Sequence, residues 1–219
     1  MTAAREHYLA AMGIPVWALR GEEDQGPAES GAESLDWPAL AERVRGCTKC
    51  ALHGGRTQTV FGVGNEDADL LIVGEAPGAE EDRRGEPFVG RAGGLLDAMI
   101  GAIALSRKEI YIANILKCRP PNNRDPRPDE ATVCTPYLER QIALLQPKVI
   151  LALGRIAAQW LLQSDAPIGR LRGRKLGFGN PETPLVATYH PAYLLRSPAA
   201  KAKVWEDLRL VTRILRTQR

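Results

Sequence analysis

Asp69-Leu-Leu-Ile-Val-Gly-Glu-Ala-Pro-Gly78 is the stretch that decides how this chain folds. An apolar run leads into Gly74 and is followed at once by a carboxylate, a proline and a second glycine. That pattern reads as a buried strand ending in a sharp loop. Gly74 and Gly78 let backbone approach closely whatever lies above the strand end, and Glu75 and Glu81 bring carboxylates to the same place. Three later runs have a similar form: Ile110-Tyr-Ile-Ala-Asn114, Lys148-Val-Ile-Leu-Ala-Leu-Gly154 and Leu185-Val-Ala-Thr-Tyr-His190. Ligands of open parallel sheets bind outside the carboxyl ends of the strands. Glu75, Asn114 and His190 are therefore expected to converge on one pocket, far apart in sequence as they are.

Helical patterns alternate with these strands. One starts at Ser34 or Asp36, either of which suits an N-cap, and runs through Leu40 and Val44 to Cys47. Ala92–Leu105 places Leu95, Leu96, Met99, Ile100 and Ile103 on one side. Asp129–Leu145, Arg155–Leu162 and an amphipathic Lys201–Arg216 follow. The prolines of Cys118–Pro128 forbid a helix there, Arg83–Arg91 is too polar and glycine-rich for a core element, and Gly169–Gly177 reads as a basic loop or hairpin. The expected fold is α/β: a three-layer α/β/α domain around a central four-stranded parallel sheet.

The chain has 219 residues, enough for one sizeable core and an appendage. No apolar run approaches the roughly 20 residues that span a bilayer, and the N-terminus lacks a secretory pattern. A cytoplasmic protein is expected. Residues 1–46 carry 4 Lys+Arg against 8 Asp+Glu, whereas residues 47–219 carry 25 against 18. The body is thus basic, which suits a polyanion, though ordinary surface charge explains the balance equally well. A short helix over 5–20 and a flexible acidic linker over 21–34 are expected, giving an extension at 1–34 and a domain at 35–219.

The four cysteines, Cys47, Cys50, Cys118 and Cys134, form a C-x2-C pair and a C-x15-C pair. Disulfides are unusual in a cytosolic chain, so two distant arms meeting at one four-thiolate metal site is the favoured reading over four separate buried thiols. Zinc and an iron–sulfur cluster both accept four thiolates, and the wide second pair leans towards iron–sulfur. Gly74–Gly78 is not G-x-G-x-x-G, so no dinucleotide fingerprint is present. Taken singly, His190 reads as a core histidine as readily as a ligand, and Phe88 as packing or as a stacking platform.

Taken together, Gly74-Glu-Ala-Pro-Gly78, Pro87-Phe-Val-Gly90, Asn114 with Lys117-Cys-Arg-Pro-Pro121, and His190-Pro-Ala-Tyr-Leu-Leu195 resemble the uracil-DNA glycosylase superfamily, and within it the iron–sulfur type, family 4. The resemblance covers roughly residues 40–219. It implies a [4Fe-4S] cluster on Cys47, Cys50, Cys118 and Cys134, and hydrolysis of the N-glycosidic bond of deoxyuridine in single- or double-stranded DNA by a monomer. By the same resemblance Phe88 stacks on uracil, Asn114 reads its pairing edge and His190 donates to O2. Gly74, Glu75 and Ala76 lie against uracil and the attacking water, and Glu81 and Asn123 support the site. The branch that traps uracil covalently has a basic insert before its Cys-Arg-Pro segment. Nothing like it stands between Asn114 and Cys118, which implies turnover.

The base must leave the duplex stack before it can react. Charge then develops on O2 of the departing uracil, so a donor aimed there acts mainly in the transition state. Arg119, Arg124, Arg127, Arg170, Arg172, Arg174, Lys175 and Arg196 are the expected DNA-facing cations. Leu194 or Leu195 is the expected wedge for the gap left by the flipped base. The competing class is a non-catalytic iron–sulfur protein that binds uracil-containing DNA. A nucleotide-dependent redox protein is weaker, because the phosphate fingerprint is missing.

Overall fold

The computed structural model describes residues 31–179 and 182–218. The helix expected over 5–20 and the linker up to residue 30 lie outside the described residues. Ala32–Ser34, at the end of that stretch, form a 3-10 turn, and Ala32 is buried in the core.

Asp36, not Ser34, caps the first helix, α1 (Trp37–Arg45), by accepting from the Ala39 amide at 3.0 Å. Pro38 sits in its first turn, where a missing N–H goes unnoticed. The chain then gives β1 (Val63–Gly64), β2 (Leu70–Gly74), α2 (Ala79–Arg84), α3 (Arg91–Ala102), β3 (Tyr111–Asn114), α4 (Pro128–Leu145), β4 (Val149–Leu153), α5 (Arg155–Leu162), α6 (Ile168–Leu171), β5 (Leu176–Phe178), β6 (Thr183–Thr188), α7 (Pro191–Arg196) and α8 (Lys201–Thr217). No described helix is long and apolar enough to cross a membrane.

The sheet has six strands rather than the four expected, in the order β1-β3-β2-β4-β6-β5. The inner four run parallel, and β1 and β5 are short antiparallel edges. Inner strands are apolar at successive positions because both faces are covered. Leu71, Val73, Tyr111, Ala113, Ile150, Ala152, Leu185 and Ala187 join one core with α1, α4 and α5. Leu70, Ile72, Ile112, Val149, Leu151 and Val186 join the other with α3 and α8. Each fully buried Leu, Ile or Val contributes about 1.5–3 kcal/mol.

Strand order reverses at β2 and β4: from β2 the chain first moves outward to β3, then crosses back to β4 and on to β6. A reversal of this kind opens a crevice at the carboxyl ends of the strands. The ends of β2, β3, β4 and β6 are Gly74, Asn114, Leu153 and Thr188, so Glu75, Gly154 and His190 all follow at the same rim.

Candidate active site

Gly74 is the floor of the recess. A Cβ there would stand 2.3 Å from Asn114 Oδ1 and 2.7 Å from Phe88 Cζ, so only glycine lets these two side chains meet over the strand end. The ring centroids of Phe88 and His190 lie 5.6 Å apart. Gly154, at φ +92°, brings its own backbone against His190, where a Cβ would stand 3.0 Å from His190 Cβ. Two of the residues expected at the strand ends, Asn114 and His190, thus flank the same Phe88 ring.

Phe88 reaches it from a constrained turn. Its φ is +56°, a left-handed conformation that costs a non-glycine residue about 1–3 kcal/mol. The surroundings hold it on both sides. The Arg107 guanidinium donates to the carbonyls of Pro87 (3.1 Å) and Phe88, and Glu81 Oε1 accepts from the amides of Val89 (3.0 Å) and Gly90 (3.2 Å). Gly93 leaves room for the Phe88 carbonyl over the start of α3. Glu81, expected to support the site, acts on the Phe88 turn: its described hydrogen bonds go to that turn's backbone.

His190 is the N-cap of α7, and β6 ends two residues before it. Its Nδ1 accepts from the Ala192 amide at 3.2 Å. An accepting Nδ1 carries no proton, so in the neutral ring the proton is on Nε2. Burial, aided by Arg196 and opposed by Glu81, pulls the imidazole down to about 4, so the neutral form prevails at physiological pH. The result is a neutral N–H donor with a fixed tautomer.

Asn114 is almost wholly buried, and its Oδ1 is the one buried side-chain polar atom among the described residues with no hydrogen-bond partner. Buried acceptors are seldom left unpaired, since each loses the free energy of its hydration. Glu75 follows the floor residue Gly74 and is half-buried. Burial, then the negative charge of Asp125, push its carboxyl up to about 7, against the opposing charge of Arg155. Arg155 and Asp125 themselves form an ion pair at 2.8 Å. Ala76 is half-buried beside Glu75 and packs on the core that the sheet shares with α1, α4 and α5. Asn123 takes a different place. It lies exposed on the Pro121–Asn123 turn and accepts from Arg119 Nε at 2.8 Å, and no described contact joins it to Phe88, Asn114 or His190.

The four cysteines line one recess together with His53, Arg56, Lys117 and Tyr137. Three of the sulfurs have donors. Arg56 Nη1 lies 3.2 Å from Cys118 Sγ, Tyr137 Oη 3.2 Å from Cys47 Sγ, and the Lys117 amide 3.3 Å from Cys134 Sγ. Burial pushes the Cys118 thiol up and the Cys134 thiol to about 12. Among the described residues no three His, Cys, Asp or Glu side chains gather tightly enough for a single metal ion.

The basic set divides. Arg172 was expected on DNA, but it is a strut within the fold: it pairs with the fully buried Asp207 at 2.9 Å and with Glu206 at 3.2 Å, and donates to the Lys203 carbonyl. Asp207 also accepts from Thr188 Oγ1 at 2.7 Å, which braces the end of β6 just before His190. Arg124 is likewise taken, in a two-pronged pair with the buried Glu130 that starts α4. Leu194, one of two candidate wedges, is 1% exposed and belongs to the core. Leu195 is 41% exposed and stays available. Arg127, Arg170, Arg174, Lys175 and Arg196 are exposed, and Arg119 is half-buried. Arg107, Asp125, Arg155 and Asp207 were missed in the sequence, because each works through a partner ten or more residues away.

The reversal point of this doubly wound α/β sheet thus holds an aromatic ring, a buried amide and a neutral histidine over a glycine floor. A model of the Uracil DNA glycosylase superfamily matches residues 61–209, and the chain belongs to that superfamily. It is 43% identical to the type-4 uracil-DNA glycosylase of Archaeoglobus fulgidus, over 82% of this chain and 92% of that protein. It is 42% identical to the type-4 uracil-DNA glycosylase of Thermotoga maritima, over 77% of this chain and 89% of that protein. A type-5 uracil-DNA glycosylase of Thermus thermophilus is 36% identical over 47% of this chain.

Proposed function

We propose that the chain is a uracil-DNA glycosylase of the type-4 kind, which hydrolyses the N-glycosidic bond of deoxyuridine in DNA and releases uracil, leaving an abasic site. The observation that carries this reading is the buried, unpartnered Asn114 Oδ1 beside Phe88 and His190. Uracil supplies the missing donor, N3–H, and its O4 accepts from the same amide. Phe88 stacks on the flipped base. His190 Nε2–H donates to O2, where negative charge grows as the bond breaks. A neutral donor in a preorganised, water-poor site acts mainly on the transition state. Glu75, next to Gly74, orients the attacking water towards a sugar carbon that is already cationic. Glu81 and Arg107 act one step back, by keeping Phe88 in its turn.

The four cysteines fit a [4Fe-4S] cluster. They surround a space rather than a point, as four thiolates on four separate irons must, and three of the sulfurs have N–H or O–H donors suited to thiolates. When bound, such a cluster ties residues 47–50 to residues 118–134. DNA is expected to lie over Arg127, Arg170, Arg174, Lys175 and Arg196, with Leu195 as the wedge.

The test is release of free uracil from a labelled oligonucleotide, run on uracil opposite A, opposite G and in a single strand. Multiple turnovers support the reading. Tight binding with no base released would favour the non-catalytic alternative.

A further inference from the structure

Lys117 stands between the cysteine centre and the base recess, and the mechanism above gives it no task. Its side chain is almost wholly buried. Nζ donates to the Asn114 carbonyl at 2.9 Å and to Gln141 Oε1 at 2.6 Å. Gln141 cannot turn away, because its amide nitrogen is held by the Phe61 carbonyl (3.0 Å) and lies 3.3 Å from Tyr111 Oη. Among the described residues no carboxylate lies within ion-pair distance of Nζ. A buried ammonium with only neutral acceptors is strongly unfavourable unless an opposite charge is near. The sulfur set adjoins the same residue: Lys117 lines the recess of the four cysteines, its backbone amide donates to Cys134 Sγ, and the next residue is Cys118.

We propose that Lys117 is a positioning residue that couples the cysteine centre to the base recess. Its ammonium is the internal counter-charge of the thiolates. The same group pins the backbone carbonyl of Asn114 and so fixes the amide that reads the base. The inference rests on the uracil and cluster readings above. It adds a consequence: the state of the cluster and the occupancy of the recess influence each other, and equally in both directions.

The test uses the iron-loaded protein and two readouts other than turnover. Lys117→Met keeps the length of the side chain and removes charge and donors. With a positive charge lost near it, the cluster becomes harder to reduce, so its midpoint potential moves to more negative values. Free uracil, measured by calorimetry, binds about 10- to 100-fold more weakly, as loss of a hydrogen bond from a charged group implies. Lys117→Arg restores the potential more fully than the uracil affinity, since it keeps the charge but not the geometry. A folded, iron-loaded Lys117→Met protein in which either quantity stays at its wild-type value overturns the coupling. The wild-type protein gives a second test that needs no variant: saturating uracil shifts its midpoint potential, and an unchanged potential with uracil bound overturns the coupling alone. Wild-type protein that binds no uracil would instead sink the base-recess reading, and the coupling with it.

Discussion

Around Gly74, the side chains of Phe88, Asn114 and His190 come together with one buried oxygen left unpaired. Around the four cysteines, which join the recess's own segment at Cys118 just past Asn114, three of the four sulfurs already have donors. Both regions draw on distant segments, yet they treat polar atoms in opposite ways. In the recess, one acceptor waits for a partner from outside, a state that selects a ligand by its donors. In the cysteine centre, the protein's own donors have converged on the sulfurs, a state that suits a permanent resident. The difference teaches where to look for chemistry and where to look for stability, and each side of it can be broken.

The largest effect should follow from changing the waiting atom. Cytosine presents an N3 acceptor and an N4 amino donor, the reverse of uracil's edge, and against Asn114 like groups would face each other. Unpaired polar groups in a dry site discriminate by about 10⁴–10⁵. Asn114→Asp exchanges the amide nitrogen for a second oxygen. That protein should lose most uracil activity and gain measurable excision of unpaired cytosine, assayed on matched oligonucleotides. Full uracil activity with undiminished rejection of cytosine would show that Asn114 does not read the pairing edge.

His190→Ala removes the donor at O2. The expected loss is about 10²–10³ in single-turnover rate, with much less effect on binding to uracil-containing DNA. The neutral ring also sets a pH expectation. With its pKa pulled down to about 4 by burial, the imidazole stays uncharged throughout the neutral range, so its protonation leaves the rate untouched until pH approaches that value. Equal losses in binding and rate would assign His190 to ground-state recognition instead.

On the other side of the comparison, Cys118→Ala should act first on stability. A tie between residues 47–50 and 118–134 closes a long loop, and a disulfide that closes a loop of this kind contributes roughly 2–5 kcal/mol, the order expected here. Thermal unfolding checks the loss. An unfolding temperature equal to that of the wild type would mean that the cysteine centre does not tie these segments together.

How much of this was legible beforehand follows from the same contrast. The inner strands were visible because burial on both faces writes a continuous apolar run, as in Leu70–Val73. The edges β1 and β5 were not, since two or three residues carry no period. Asn114 and His190 were visible as polar ends of apolar runs. The helix α7 was hidden behind a histidine read as the end of a strand, and only its cap geometry gives the ring a tautomer. Leu194 and Leu195 are neighbours in sequence and opposites in burial, a distinction that needs the helix to be seen first. Arg172 and Arg174 look alike in a basic stretch. What separates them is Asp207, which the sheet and α8 bring to Arg172 from 35 positions along the chain. Glu81 and Asn123 were expected for support, but the sequence could not say of what: Glu81 holds the Phe88 turn, and Asn123 holds Arg119 at the surface.

Glu75 gives the smallest expected effect and the finest test of the recess. Its carboxyl is raised to about 7, first by burial and then by Asp125, while Arg155 opposes both. If the ionised form orients water beside the growing glycosyl cation, kcat/KM should rise with pH through about 7. Glu75→Gln should flatten that limb and slow the reaction by about tenfold, below the 10²–10⁴ that full proton transfer contributes. The neighbours should move the limb in opposite directions: Arg155→Gln to higher pH, because an attractive cation is gone, and Asp125→Asn to lower pH. Stability carries the same sign. A carboxyl whose folded pKa lies above its unfolded value of 4.5 favours the folded state below that value, and the advantage is lost as pH rises through about 7. Glu75→Gln should therefore be the more stable protein at pH 8, with the difference fading towards pH 4. A rate limb near pH 7 that survives Glu75→Gln would belong to another group and would take Glu75 out of the chemistry.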